Sequence, residues 1–300
     1  MARFGPVVTA MVTPFDDDLA VDHDTAVGLA RWLADHGSTG LVLAGTTGES
    51  PTLSDDEKLE LFRGVASAVT VPVVAGVGSA DTRHSVELAR AASACGVAGV
   101  LVVTPYYSRP SQAGLLAHFQ AVAGATDLPV VIYDIPPRTG RKVATATLAA
   151  LAREVPNVVA VKDATADPPE AARLLAQVPT SFELYSGDDA YTLPLLAVGA
   201  VGVISVASHW AGPVMGAMIE CHATGDVAGA RRHNQGLLPS FAFETGDDAP
   251  NPIPTKAMMR VLGHRVGQCR PPMGPTPEGL EDRARQVHAE LTGATSGGAT

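Results

Sequence analysis

The sequence predicts an α/β protein, a (β/α)8 barrel with about three helices appended at its C-terminal end. Three observations lead to this fold class. Short runs of apolar, mostly β-branched residues recur eight times along the chain, and helix-like segments separate them. The runs are apolar throughout rather than alternating, which is typical of strands covered on both faces in a parallel sheet. The chain has 300 residues, a length that one barrel of this kind occupies.

The predicted strands and helices alternate as far as residue 206. The strands cover residues 7–12, 40–44, 71–75, 99–103, 129–133, 158–161, 182–185 and 202–206. Helical spacing of apolar residues predicts helices over the segments 25–36, 85–94 and 113–123. Ser54 and Glu57 have the spacing of a capping box, which predicts another helix start. This regular alternation favours a closed barrel over an open doubly wound sheet.

The pattern changes after the eighth strand. Residues 212–223, 226–242 and 252–262 have helical patterns with no strand between them, and Gly and Pro residues separate them. We therefore expect a barrel over residues 1–211 and a helical region over 212–291. The segment 292–300 contains only Gly, Ala, Ser and Thr, and this composition predicts disorder.

Composition excludes several classes of protein. The chain is 46% hydrophobic and 17% charged, and its net charge of −10 disfavours nucleic acid and anionic membranes as partners. Its three cysteines are far apart in the sequence, which argues against a disulfide framework or a zinc site. No signal-peptide pattern and no apolar run of membrane-spanning length occurs. These features predict a cytoplasmic protein.

Lys162 is the most informative residue of the sequence. It directly follows the predicted strand 158–161, at the strand end where barrel enzymes place their active sites. Burial disfavours the ammonium form of lysine, lowers its pKa and makes the amine a nucleophile towards a carbonyl group. The alternative is a lysine at a strand end whose apolar stem is buried while its ammonium group reaches water.

Polar side chains follow four other predicted strands. They occur in the segments Gly-Thr-Thr-Gly-Glu (45–49), Thr-Pro-Tyr-Tyr (104–107), Tyr-Asp (133–134) and Ser-Gly-Asp-Asp (186–189). Each could be an ordinary turn or strand end. Together they offer a carboxylate-binding loop and phenols that transfer protons beside a lysine. Imine formation with a 2-oxo acid, followed by attack of the resulting enamine on a second carbonyl, requires this set of groups.

These segments and three others resemble the 4-hydroxy-tetrahydrodipicolinate synthase (dihydrodipicolinate synthase) family of the pyruvate-dependent lyases and aldolases. The resemblance runs from about Pro6 to Leu291. The matching motifs, in order, are Gly-Thr-Thr-Gly-Glu (45–49), Thr-Pro-Tyr-Tyr-Ser-Arg-Pro (104–110), Tyr-Asp-Ile-Pro-Pro-Arg-Thr-Gly (133–140), Val-Lys-Asp (161–163), Ser-Gly-Asp-Asp (186–189), Gly-Val-Ile-Ser-Val (202–206) and Asn-Pro-Ile-Pro (251–254).

The resemblance implies a catalytic role for four residues. Lys162 forms the Schiff base with pyruvate, and Tyr133 donates and accepts protons. Thr46 and Tyr107 complete a hydroxyl relay with Tyr133, and Tyr107 is the residue that the family donates across a dimer interface.

The same resemblance implies the substrate-binding residues and the partners. Thr47 and the backbone at Ile204 hold the carboxylate of pyruvate, and Gly187 also belongs to the substrate-binding set. Arg138 receives the carboxylate of aspartate semialdehyde, which suits the bidentate geometry of a guanidinium group. The expected assembly is a dimer or a pair of dimers, and no metal or organic cofactor is expected.

Some residues depart from the family pattern. Asp134 stands where many members have Asn, and Pro137 where Ser or Gly is common. Both flank Arg138, so a pyruvate-dependent aldolase or retro-aldolase of a 2-oxo sugar acid remains an alternative, as does a non-catalytic 2-oxo acid sensor. Four positions that bind inhibitory lysine in many members differ here, and they hold Asp55, Lys58, Ala80 and His84, whereas Ser50 and Tyr106 are retained. Lys58 and His84 are poor partners for an ammonium group. We therefore expect weak or absent inhibition by lysine.

Overall fold

A closed barrel of eight parallel strands forms the centre of the computed structural model, which describes residues 2–296. Each strand pairs with its neighbours in sequence, and β8 closes the barrel against β1. The strands are β1 Val7–Ala10, β2 Gly40–Leu43, β3 Val73–Gly76, β4 Gly99–Val103, β5 Val130–Asp134, β6 Val158–Asp163, β7 Glu183–Ser186 and β8 Gly202–Ser205. All eight predicted strands are confirmed, with ends that differ by at most two residues.

The helices cover the outside of the barrel and continue beyond it. The capping box of Ser54 and Glu57 is confirmed at the start of α2. The helices are α1 His23–Asp35, α2 Asp55–Ala68, α3 Thr82–Ala92, α4 Gln112–Ala123, α5 Pro136–Thr139, α6 Thr145–Glu154, α7 Pro168–Leu175, α8 Thr192–Leu196, α9 Ser208–Ala223, α10 Val227–Phe243, α11 Ile253–Val261 and α12 Leu280–Ser296.

The C-terminal region differs from the predicted boundaries. The predicted helix 212–223 is the greater part of α9, which begins at Ser208, follows β8 and packs on β1. The appended helices are α10, α11 and α12, of which α12 was not predicted from the sequence. This last helix buries Leu280, Ala284, Val287 and Leu291 at helical spacing, and it packs on α10 and α11. It extends to Ser296, into the segment expected to be disordered, and residues 297–300 lie outside the described part.

The barrel interior is filled by side chains and closed at its N-terminal end. Phe4 is buried there, with its ring centroid 6.5 Å from that of Tyr185. The Tyr185 hydroxyl donates to Glu183, and the Glu183 carboxylate also accepts from the backbone N–H of Arg3. Because this end is sealed, a ligand reaches the interior only from the carboxyl ends of the strands. Among the described residues, no helix has the length and apolar character needed to cross a membrane.

Candidate active site

Lys162 and Tyr133 are neighbours at the open end of the barrel. They are the penultimate residues of β6 and β5 and lie directly opposite each other in the strand register. The Lys162 Nζ lies 4.2 Å from the centre of the Tyr133 ring. Burial lowers the pKa of Lys162 to about 8, and the negative charge of Asp189 partly opposes this shift. Lys162 therefore has a substantial neutral fraction near neutral pH, as a nucleophilic amine requires.

Tyr133 keeps its proton at neutral pH. Its side chain is buried, and burial raises the pKa of the phenol to about 12, although Arg138 and a hydrogen bond with Thr46 act in the opposite direction. The phenol is thus a proton donor, and Arg138 and Thr46 stabilise its conjugate base. The structure brings together three of the four residues expected to be catalytic, Lys162, Tyr133 and Thr46.

A cavity of about 240 Å³ opens beside the Tyr133 phenol. Thr46 from the loop after β2, Tyr106 from the loop after β4, and Arg138 from α5 all line it. This volume suits small substrates such as two short oxo acids. Arg138 supplies the positive charge that a carboxylate ligand would meet there.

Gly187 lies against the catalytic lysine. A Cβ atom at this position would be 2.9 Å from the Lys162 Cγ and 3.0 Å from the Ala164 Cβ. Any larger residue would displace the lysine stem. The backbone N–H of Gly187 donates to the Asp163 carbonyl at 2.7 Å, which ties the loop after β7 to the end of β6.

Of the other expected site residues, Ile204 is buried and Tyr107 is exposed. Ile204 is buried in β8, where its backbone pairs with Val8 of β1. Tyr107 is 95% exposed and has a φ of 71°, in the left-handed region. It does not line the cavity of its own chain, so any role in catalysis requires the site of a second subunit.

Thr47 and Arg138 both contact Asn251, which immediately precedes Pro252 and α11. The Asn251 side-chain amide donates to the Thr47 Oγ1 at 2.9 Å. The Arg138 guanidinium donates to the Asn251 carbonyl at 3.4 Å. The Asn-Pro-Ile-Pro motif contains Asn251, but no feature of the sequence indicated a role for this residue. A contact between positions 204 residues apart leaves no periodic signal in the sequence.

Two buried carboxyl groups act on Lys162 from a distance. The Asp189 carboxylate accepts from the backbone N–H groups of Val206 and Ala207, at 2.8 and 3.0 Å. Burial and the neighbouring Asp189 raise the pKa of Glu244 well above its ordinary value. This shift favours the neutral form of Glu244, and the charge of Asp189 favours the ammonium form of Lys162. The Ser-Gly-Asp-Asp motif pointed to Asp189, whereas no sequence signal marked Glu244.

A buried ion pair fixes the loop that carries Thr46 and Thr47. Glu49 ends this loop with a left-handed φ of 56°, and its Oε1 lies 2.8 Å from the Nζ of Lys256 in α11. The Glu49 Oε2 accepts from the backbone N–H of Arg270 at 2.8 Å. Lys256 also donates to the Gln268 carbonyl at 2.9 Å. The appended helices thus hold the Gly-Thr-Thr-Gly-Glu loop in place from outside the barrel.

Asp134 is a further buried carboxyl group beside the site. It ends β5 opposite Asp163, and its carboxylate accepts from the Val143 N–H at 3.2 and 3.1 Å. Burial raises the pKa of Asp134 from 3.8 to about 7, and Asp163 adds to this shift while Lys142 opposes it. In the native state Asp134 therefore keeps its proton up to about pH 7, whereas in the unfolded chain it loses the proton near its ordinary pKa of 3.8.

We expect Asp134→Asn to stabilise the protein at neutral and alkaline pH. In the parent, stability falls as pH rises from about 4 to about 7, because only the unfolded state releases the Asp134 proton readily in that range. An asparagine does not titrate and can still accept from Val143. The variant should gain about 1 to 4 kcal/mol above pH 7 and about nothing near pH 4. Urea unfolding at a series of pH values measures the difference, and a constant offset at every pH would contradict this account.

A buried lysine beside a phenol, at the open end of a parallel barrel, defines the class of barrel lyases that work through a lysine imine. The chain belongs to the dihydrodipicolinate synthetase family, whose model matches residues 3–292. Among its relatives, the 4-hydroxy-tetrahydrodipicolinate synthase of Acidothermus cellulolyticus is 53% identical over 91% of this chain and 87% of that protein. The corresponding enzyme of Moorella thermoacetica is 50% identical over 90% of this chain and 92% of that protein.

Solved structures agree with this assignment. A dihydrodipicolinate synthase from Bacillus anthracis superposes with a TM-score of 0.92 at 40% identity, covering 96% of this chain and 98% of that chain. The enzyme from Cyanidioschyzon merolae, solved with lysine bound, gives a TM-score of 0.93 at 42% identity, covering 97% of this chain and 99% of that chain. The fold is therefore common to these proteins over nearly the whole chain.

Proposed function

We propose that this protein condenses pyruvate with L-aspartate 4-semialdehyde to 4-hydroxy-tetrahydrodipicolinate, a step in the diaminopimelate route to lysine. The observation that carries the proposal is the placement of the buried Lys162 amine over the Tyr133 ring, beside a cavity lined by Arg138. The names of the relatives support the same reaction.

Imine formation would begin with the neutral Lys162 amine attacking C2 of pyruvate. Tyr133 gives its proton to the carbonyl oxygen, and the carbinolamine that forms loses water. Thr47 and the backbone at Ile204 are proposed to hold the pyruvate carboxylate during this step. The protonated imine then withdraws electrons from the methyl carbon, which gives a proton to the Tyr133 phenolate and becomes an enamine, so that Tyr133 is again a proton donor.

The second substrate would meet the enamine in the cavity lined by Arg138. The enamine carbon attacks the aldehyde carbon, and the new alkoxide takes a proton from the hydroxyl relay of Tyr133 and Thr46. The amino group of the semialdehyde then displaces Lys162 from the imine carbon, which closes the ring and frees the lysine. Arg138 binds the carboxylate of the semialdehyde and so selects an acidic acceptor.

Tyr107 would complete the relay in a dimer. Its side chain extends into solvent on a left-handed backbone, as expected of a residue that enters a neighbouring subunit. We propose that two chains exchange Tyr107 residues, each reaching Thr46 and Tyr133 of the partner. A pair of such dimers is the assembly that the family resemblance implies.

A comparison of acceptors tests the proposed reaction. With pyruvate as the common substrate, we expect rapid turnover with aspartate semialdehyde and negligible turnover with N-acetylmannosamine or glyceraldehyde. Product absorbance and consumption of pyruvate report the rates. Faster turnover with either sugar-derived acceptor would replace the proposal with the 2-oxo sugar acid aldolase reaction.

We also expect inhibition of the enzyme by free lysine to be weak or absent. Asp55 already contacts two neighbouring side chains, since its carboxylate lies 2.9 Å from the His84 Nε2 and 3.7 Å from the Lys58 Nζ. Lys58 already places a positive charge beside Asp55, so a further ammonium group nearby would be unfavourable. Initial rates with and without millimolar lysine should agree within error. Strong inhibition at low lysine concentration would contradict this expectation.

A further inference from the structure

Asn251 holds the Thr47 hydroxyl in one orientation. Its side chain is buried and forms hydrogen bonds through both ends of its amide. The Nδ2 donates to the Thr47 Oγ1 at 2.9 Å, and the Oδ1 accepts from the Thr255 hydroxyl at 3.0 Å. Because Thr255 donates to the oxygen end, the amide presents its N–H towards Thr47.

A hydroxyl group has one proton to donate and two lone pairs that accept. The Asn251 N–H occupies one lone pair of the Thr47 oxygen, so the Thr47 proton cannot point at Asn251. In the hydrogen bonds of residues 2–296, the Thr47 side chain acts only as an acceptor. Its proton is therefore available for a ligand, and an ionised carboxylate, which can only accept, is the matching partner.

We propose that Asn251 is a positioning residue that directs the Thr47 hydroxyl proton towards the carboxylate of the 2-oxo acid. This inference rests on the proposed function, because it concerns the way in which that function binds pyruvate. Asn251 is predicted to act through Thr47 and not to touch the substrate. Arg138 is held by the Asn251 backbone carbonyl, so a change of the Asn251 side chain leaves that contact in place.

Asn251→Asp is the most direct test, because it reverses the polarity of the contact with little change of shape. The carboxylate can accept from Thr255 as before, but it would also accept the Thr47 proton and turn it away from the substrate. We expect the pyruvate concentration for half-maximal borohydride trapping to rise about tenfold or more, the size of one lost hydrogen bond to a charged group. The KM for aspartate semialdehyde should stay within about twofold, which corresponds to about 0.4 kcal/mol or less. It should change little because Arg138 is held by the Asn251 backbone carbonyl, which the substitution leaves in place.

A double-mutant cycle separates an indirect role from direct binding. Thr47→Val removes the hydroxyl that Asn251 orients, and in that background Asn251→Asp should cause no further rise in the pyruvate requirement. An equal rise in both backgrounds would overturn the inference, since Asn251 would then act without Thr47. An unchanged pyruvate requirement in the single Asn251→Asp variant would overturn it as well.

Two further controls keep the outcome decisive. If the parent enzyme itself forms no adduct with pyruvate, the proposed function fails. If the parent forms the adduct but the variant has an unchanged pyruvate requirement, this inference alone fails.

If Asn251→Asp melts at a much lower temperature than the parent, Thr255→Val takes its place, with Thr255→Ser as the matched control. The valine variant releases the amide and should raise the pyruvate requirement, while the serine variant retains the hydroxyl and should not. A serine variant as impaired as the valine variant would contradict the proposed orientation.

Discussion

Replacing Lys162 by arginine is expected to lower kcat by at least about 10⁴-fold, because the nucleophile is lost while the positive charge is kept. A guanidinium group stays protonated in proteins and cannot form the imine. Lys142→Arg is the matched control, since Lys142 is half-exposed and pairs with Asp167 at 3.6 Å. This control should leave kcat within about twofold of the parent, as expected for an exposed pair.

The pH dependence of the parent enzyme follows from the same residue. Only the neutral Lys162 amine attacks pyruvate, and its pKa is about 8. The value of kcat/KM for pyruvate should therefore rise with pH up to about 8 and then level off. Substantial turnover by the arginine variant, or a rate that falls across this range, would contradict the role assigned to Lys162.

Lys256→Met is expected to destabilise the protein by about 3 to 5 kcal/mol, because it leaves the Glu49 carboxylate buried without its counter-charge. Both side chains of this pair are almost fully buried, and their charged atoms lie 2.8 Å apart. The loss should appear as a lower urea midpoint with a similar slope of the unfolding transition.

A second substitution tests whether the uncompensated charge causes this loss. Glu49→Gln in the Lys256→Met background removes that charge, and glutamine can still accept from the Arg270 N–H. The double variant should therefore recover a large part of the lost stability. A double variant that is less stable than Lys256→Met alone would show that the stabilisation comes from packing and not from the charge pair.

The regular part of the fold could be predicted from local patterns. Each strand is a short apolar run, and the alternation with helices gives the barrel order. Because neighbouring strands end at the same edge, the strand-end positions of Lys162 and Tyr133 also predicted their proximity. The boundary expected at residue 211 falls inside α9, which continues through Gly212 and Pro213.

The remaining parts of the site depend on contacts between distant segments. Asn251 reaches Thr47, Lys256 reaches Glu49, and Glu244 lies near Asp189, yet none of these pairs has a periodic or motif-based signal. The appended helices bring the three partners to the barrel rim, so the contacts become visible only in three dimensions. Tyr107 is the opposite case, because the family resemblance implied its role but that role depends on a second chain.

Borohydride trapping tests most directly the claim that Lys162 forms an imine with pyruvate. The protein is incubated with pyruvate, reduced, digested and mapped by mass spectrometry. We expect one peptide, the one that contains Lys162, to gain the mass of a 1-carboxyethyl group, and we expect no gain in the Lys162→Arg variant. An unmodified Lys162 peptide in the active parent enzyme, or an adduct on a different lysine, would contradict the account.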